Sequence, residues 1–270
     1  MTADPQASGD PPRRGVRGRR AAALIALALG LAGLVISAFG MATQLLPRQF
    51  SAAQQRQIEN WEIASRWQQL SAGQIFPASV AYQLSNTVLQ DATPLDLDAL
   101  RIGIAPQSGC GADVTTSAAA AVLRREGCQA VLRATYVDAT RSYIMTIGVA
   151  VLPSDAAAVR ASQSLSRPRL AAVRSAQTDT LAGGILVVRY RGTAAALYDY
   201  SRQVSASFPA GPYLVMFAAG YADSRPRVPV ASDRYSYAEM TSLAAGVAQA
   251  VADMLAAQPP SPHCPGAPGC

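Results

Sequence analysis

From Ala21 to Ala42 the chain runs for 22 residues without an ionisable side chain, directly after Arg13, Arg14, Arg17, Arg19 and Arg20. At about 1.5 Å per helical residue such a run is roughly 33 Å long, enough to cross the hydrocarbon core of a bilayer. The pattern predicts a transmembrane helix over 21–46, with residues 1–20 as a disordered cytoplasmic segment. Arginines crowd one flank and only Arg48 lies close on the other, which places the N-terminus in the cytoplasm. A cleaved secretory signal is the rival reading, with Gly40-Met41-Ala42 as a loose cleavage match, but the run exceeds a signal h-region of about 7–15 residues. Ala22, Ala26, Gly30, Gly33, Ser37 and Gly40 fall within roughly an 80° arc of this helix, and small residues let helix backbones approach closely. Ala26, Gly30, Gly33 and Ser37 are therefore candidate packing positions for a homodimer or another membrane helix. An Ala- and Gly-rich composition also produces such stripes by chance.

Beyond the apolar run the periods change. Phe50–Leu70 has a broad helical face carrying Trp61, Ala64 and Trp67, so 47–76 is read as a juxtamembrane stalk that lies on the outer leaflet or packs on the folded part. Ser79–Leu84 and Leu100–Ala105 read as strands, with Pro94 and Pro106 as punctuation. Thr115–Glu126 reads as a helix with Ala118, Ala119, Val122 and Leu123 inward. Gln129–Val137 and Ser142–Leu152 form a hairpin turned through residues 138–141. Both faces of its second strand are apolar, the mark of a central strand with cover on each side. Asp155–Leu165 reads as a helix capped by Ser154, followed by loop to Gly184 and a strand over Ile185–Arg191. Gln203–Phe208 and Tyr213–Tyr221 form a second hairpin. Glu239–Ala257 is the strongest helix, with Met240, Leu243, Ala244, Val247, Val251, Met254 and Leu255 within about a 120° arc. The expected fold class is α+β: an N-terminal transmembrane helix, then an antiparallel sheet packed with helices over 77–257. The helices are expected on one face, with the cover of the other left open. Five prolines keep the tail, 258–270, out of helix.

Net charge is +6, and residues 1–20 supply half of it. The remainder is spread thinly and without basic clusters, which argues against nucleic acid as a partner. Every cation is arginine. The four cysteines, Cys110, Cys128, Cys264 and Cys270, all follow the apolar run. In an oxidising compartment an even count reads as two disulfides. Three connectivities exist, and proximity favours Cys110–Cys128 with Cys264–Cys270.

Candidate chemistry is sparse. The single histidine, His263, sits in the proline-rich tail and reads as a solvated tail residue rather than a catalytic base. Without lysine, Ser–Lys and Schiff-base mechanisms fall away. His263, Cys264 and Cys270 are the one metal-like cluster, and those thiols are better used on each other, so no metal or cofactor is expected. Asp96, Asp98, Asp138 and Asp223 are the acids a carboxylate-based site would use. Gly109-Cys110-Gly111 and Gly183-Gly184 lack the context of a phosphate loop. One stretch has the pattern of a binding face: Tyr213, Val215, Phe217, Ala219 and Tyr221 alternate along a strand, with Arg225 and Arg227 just beyond. An aromatic ladder with flanking arginines suits a peptide, glycan or lipid head group. The alternative is a sheet face buried under the C-terminal helix.

The segments LPRQFSAAQQRQIENWEIASRWQ, AGQIFPASV, RIGIAPQSGC, GCQAVLRATYVDAT, TIGVAVLPSDAAA, GPYLVMFAAGYAD and CPGAPGC resemble a family of actinobacterial single-pass membrane proteins with an extracytoplasmic α+β domain and no assigned activity. A weaker similarity links GCQAVLRATYVD and TIGVAVLPSDAAA to extracytoplasmic sensor-like domains of actinobacterial kinases and lipoproteins. The resemblance implies a disulfide-bearing α+β domain and carries over no functional residue. Together these readings predict a single-pass protein of the cell membrane, N-terminus inside. Its outer domain is expected to act as a non-enzymatic interaction or sensing module, partnered by another envelope or membrane protein. An envelope hydrolase or transferase with a carboxylate site, or a lipid-, glycan- or peptide-binding domain, is the alternative.

Overall fold

The computed structural model describes residues 30, 51–84, 95–174, 184–197, 202–226, 228, 232 and 234–258, without the side chains of 83, 84, 95, 96, 167–174 and 197. The predicted spanning helix, with Ala26, Gly33 and Ser37, lies outside the described residues apart from Gly30, and so do Arg227, Cys264 and Cys270. No helix among the described residues is long and apolar enough to cross a membrane. From Ala52 onward the chain forms one compact unit.

The described elements are α1 (Ala52–Gln69), α2 (Ala72–Ile75), β1 (Ser79–Leu84), β2 (Leu95–Ser108), α3 (Ser117–Arg125), β3 (Ala130–Asp138), β4 (Tyr143–Val151), α4 (Asp155–Arg174), β5 (Arg202–Ala210), β6 (Tyr213–Tyr221) and α5 (Arg234–Ala256). Their strands make a six-stranded antiparallel sheet of order β1-β2-β3-β4-β6-β5. The two predicted hairpins meet at its centre, where β4 pairs with β6 from Tyr143↔Tyr221 to Val151↔Tyr213. Every residue of β4 and β6 is buried. This is the outcome that apolar residues on both faces of a strand require.

One face carries Tyr143, Met145, Ile147, Val149 and Val151 of β4 and Tyr213, Val215, Phe217, Ala219 and Tyr221 of β6. α5 lies on it through Met240, Leu243, Ala244, Val247, Ala248, Val251, Ala252 and Leu255. Each large apolar side chain buried there stabilises by about 1.5–3 kcal/mol. Met254, expected inward, is 44% exposed. It sits at the rim of the apolar arc, and Ala248 and Ala252 fill the seam instead. α1 completes this layer: Ile58 is buried and Ile63, Trp67 and Leu70 pack on the same core. The predicted stalk is thus part of the folded unit from Ala52 on.

The opposite face, whose cover the sequence left open, has its own helices. Ala119 and Leu123 of α3 and Ala157, Ala158, Ala161 and Leu165 of α4 cover Val131, Ala150, Leu214, Met216 and Ala218. In α3, Ala118 is exposed and Ala120 takes its inward place. Glu126 ties the two helices by accepting from Arg160 Nε at 2.8 Å. α4 runs on to Arg174, past the predicted end at Leu165. The apolar period that signalled it stops before the helix does.

Residues 185–191, predicted as a strand, instead form a strap across this face. Only Ile185 is paired, in an isolated bridge to Thr115. Leu186 N–H donates to Val114 O at 3.0 Å, and Val188 is held by side chains. Val188 N–H donates to Thr146 Oγ1 at 3.1 Å, and the Thr135 hydroxyl donates to Val188 O at 3.1 Å. The two threonine hydroxyls lie 3.0 Å apart. Gly148 makes room for the strap, since a Cβ there would sit 2.5 Å from Ile185 Cδ1.

Cys110 and Cys128 are bridged, with Cα atoms 6.2 Å apart. The bridge closes α3 between the end of β2 and the start of β3.

Four core tyrosines set an alkaline limit. Burial pushes the Tyr213 hydroxyl up to about 12. Tyr82 also rises to about 12, through burial first and then the charges of Asp138, Glu239 and Asp98. Burial raises Tyr136 and Tyr143 as well. In the unfolded chain these phenols ionise near 10. Their stabilisation is therefore complete below about pH 10 and is lost as pH rises through 12, at about 1.4 kcal/mol per pH unit per tyrosine. Urea midpoints measured from pH 8 to 12 should stay level and then fall steeply. A profile level to pH 12 would contradict buried phenols.

Candidate functional site

The chain turns sharply after α1, and a capping box holds the turn. Ser71 Oγ accepts from Gln74 N–H at 3.3 Å, and Gln74 Oε1 accepts from Ser71 N–H at 2.8 Å. α1 is fixed to the sheet and to α5 by polar contacts. The Tyr213 hydroxyl donates to Ile63 O at 2.5 Å. Arg66 Nη1 donates to the carbonyls of Leu255 at 3.0 Å and Ala257 at 2.6 Å, with Met254 O at 3.4 Å. A guanidinium on the last carbonyls of a helix also complements its dipole.

β2 outruns its edge partner. β1 pairs with it only from Leu84↔Leu95 to Ser79↔Leu100. Arg101 N–H donates to Ala78 O at 2.9 Å, and that bond closes the ladder. β2 then continues to Ser108 with β3 on one side and, among the described residues, no strand on the other. Pro106, predicted to stop the strand, sits inside it at a register shift between Ala105 and Ser108. Proline is tolerated at bulges because no ladder donor is needed there. The Phe76–Pro77 step is held in place beside this overhang. The Arg101 guanidinium donates to Phe76 O, and the Tyr136 hydroxyl donates to Pro77 O at 3.0 Å.

Between the overhang and the α1–α2 corner lies a cleft of about 450 Å³. Trp67, Leu70, Ile75, Phe76, Ile104 and Leu132 give it apolar walls. Gln68 and Gln107 supply amides, and none of the lining side chains is ionisable. Such a lining binds by apolar contact and amide hydrogen bonds; it has no group to give or take a proton. An unpaired strand edge beside apolar pockets is the arrangement by which sheets add an extended peptide.

The site residues predicted from sequence lie elsewhere. Tyr213, Phe217 and Tyr221 are 0%, 3% and 4% exposed, packed in the core layer beneath α5. Their face is filled, so it offers no open groove. The alternation that suggested a binding ladder is the alternation of a strand buried on both sides. Arg225 is at the surface, its guanidinium 4.6 Å over the Tyr221 ring and 2.5 Å from Asp223. That arginine holds the Asp223 carboxyl below the usual carboxylate range. Asp138 is buried in the β3–β4 turn and accepts from Thr140 N–H at 3.0 Å, from the Thr140 hydroxyl and from Tyr143 N–H at 2.7 Å. Asp98 is exposed on β2, where its neighbour Ala99 pairs with Asp138 of β3, and the Asp96 side chain is outside the described residues. Asp138 and Asp223 are each committed to local partners, and the charges of Asp138, Glu239 and Asp98 all act on the Tyr82 hydroxyl. Among the described residues no group of three or more His, Cys, Asp or Glu is placed to hold a metal ion.

No local pattern marks the cleft, because its walls come from the end of α1, from α2, and from strand residues near 104 and 132. The one trace in the sequence is the pair of helix-face residues Trp67 and Leu70 directly before Ser71-Ala72-Gly73. In comparisons with known proteins, no family model, no curated protein and no solved structure matches the chain.

Proposed function

We propose that the chain is a membrane-anchored, extracytoplasmic interaction module of the cell envelope that works by binding rather than catalysis. In this reading the cleft beside β2 receives an extended, apolar segment of an envelope protein. The observation that carries it is the coincidence of an unpaired strand edge with an uncharged cleft of about 450 Å³. The arginine-flanked apolar run and the Cys110–Cys128 bridge support the placement outside the cytoplasm.

The test is a photo-crosslinking residue placed at Gln107 in the full chain in cells. It should yield an adduct with an envelope protein. Ile104→Glu places a carboxylate in the cleft, and desolvating it should weaken capture at least about tenfold, or 1.4 kcal/mol. An unchanged thermal midpoint would show that the fold is intact. Undiminished capture by Ile104→Glu would remove the cleft as the binding surface.

A further inference from the structure

We propose that the segment Pro259–Cys270 of this same chain is the resident occupant of the cleft, so that a partner must displace it. The inference rests on the reading of the cleft as a binding surface. It starts from where the described chain leaves off. α5 ends at Ala256, and Arg66 holds the carbonyl of Ala257 at 2.6 Å. The next residue of α1, Trp67, lines the cleft. The last helix therefore delivers the chain to the cleft's own wall.

With Cys264 and Cys270 joined, as the sequence favours, the six residues from Pro259 to Cys264 have a maximum reach of about 19 Å at roughly 3.1 Å each. Other segments outside the described residues are less well placed. Residues 85–94 join β1 to β2 at Leu84 and Leu95, the end of the β1–β2 ladder opposite the overhang. The residues before Ala52 are separated from Trp67 by about 22 Å of helix.

The chemistry matches. Pro259, Pro260, Pro262, Pro265 and Pro268 lie in a stretch with no Asp, Glu, Lys or Arg. An uncharged segment enters an uncharged cleft without burying an unpaired charge. Prolines fix the backbone beforehand, so little conformational entropy is lost on docking against an aromatic wall. Proline lacks an N–H, which leaves such a segment rich in free carbonyls. Gln68 and Gln107 present amide donors to them. A strand-forming partner would instead use the backbone edge of β2, which a proline segment leaves unpaired.

Tethering makes weak docking sufficient. A short tether gives an effective concentration of order mM. If the segment's own dissociation constant is a tenth of that, it fills the cleft about ten times as often as it leaves it empty. A partner's apparent affinity then falls about tenfold.

The experiment uses the full chain in its own membrane with the photo-crosslinker at Gln68. Irradiation should give an adduct within a single chain that peptide mapping assigns to 259–270. An adduct elsewhere in the chain, with a second copy, or absent altogether would overturn the proposal. An adduct with another protein from Gln107 but none with 259–270 from Gln68 would overturn it while leaving the cleft a binding surface. A second measurement uses Trp61→Phe, which leaves Trp67 as the single tryptophan. Ending that chain at Gln258 should make Trp67 several-fold more accessible to acrylamide quenching, with the thermal midpoint unchanged. Equal quenching with and without the tail would overturn the proposal.

Discussion

Replacing Cys110 and Cys128 together by serine should lower the unfolding free energy by about 3 kcal/mol. The bridge closes a loop with a sequence separation of 18. Constraining a loop of that size in the unfolded chain is worth about 3 kcal/mol by the chain-entropy estimate. For a domain of this size the thermal midpoint should drop by about 6–12 °C. The effect is large because of what the loop contains. α3 buries only Ala119, Ala120 and Leu123, two of them with side chains of a single methyl. So small an apolar face cannot hold a nine-residue helix by itself. Its start is also held to the strap by backbone contacts, Thr116 N–H to Gly184 O at 2.8 Å and Leu186 N–H to Val114 O at 3.0 Å. Thermal melts with and without reductant give the check. Reductant should lower the native midpoint to that of the double variant and leave the variant unmoved. A native midpoint indifferent to reductant would mean that the thiols are not paired.

Gly184→Ala should cost about as much, for unrelated reasons. Gly184 has φ +86°, a backbone region that disfavours any side chain, and a Cβ there would lie 2.7 Å from the Ala119 Cβ. The left-handed conformation costs about 1–2 kcal/mol. The contact adds about 1–3 kcal/mol of overpacking, because Ala119 is fixed in a helix and has no rotamer to yield. The expected sum is about 3 kcal/mol. Gly192 is the control: its φ is +74° and nothing lies within 4 Å of its Cβ position. Gly192→Ala should therefore show the backbone cost alone, about 1–2 kcal/mol. Chemical denaturation of the two variants separates the terms. Equal losses would show that the strap does not press on α3.

Much of this architecture is legible in the amino-acid order, and the reasons are local. Tyr143–Val151 alternates between two apolar sets, which can only suit a central strand. Met240, Leu243, Ala244, Val247, Val251 and Leu255 repeat at the helical period and bury as a seam. Asp138 to Ser142 carries its own turn chemistry, with the Asp138 carboxylate collecting donors from Thr140 and Tyr143. Other parts depend on distant partners. Ile185-Leu186-Val187-Val188 has the composition of a strand, yet it joins no ladder: Ile185 and Leu186 meet the chain just before α3, and Val188 bonds to threonine hydroxyls on β3 and β4. Tyr213, Phe217 and Tyr221 have the composition of a binding ladder and are core, because composition does not say which helix will lie above. The cleft escapes any linear reading, since it is the space left where β1 ends before β2 does.

The grip of Arg66 and Tyr213 on α1 has a mechanical side. A load on α1 is met first by its polar attachments. Its attachments, Ile63 O to Tyr213 and Arg66 to the carbonyls of Leu255 and Ala257, lie within one turn of each other. Through them α1 is coupled both to the β6 rib and to the place where the polypeptide leaves α5, so neither can shift without the other.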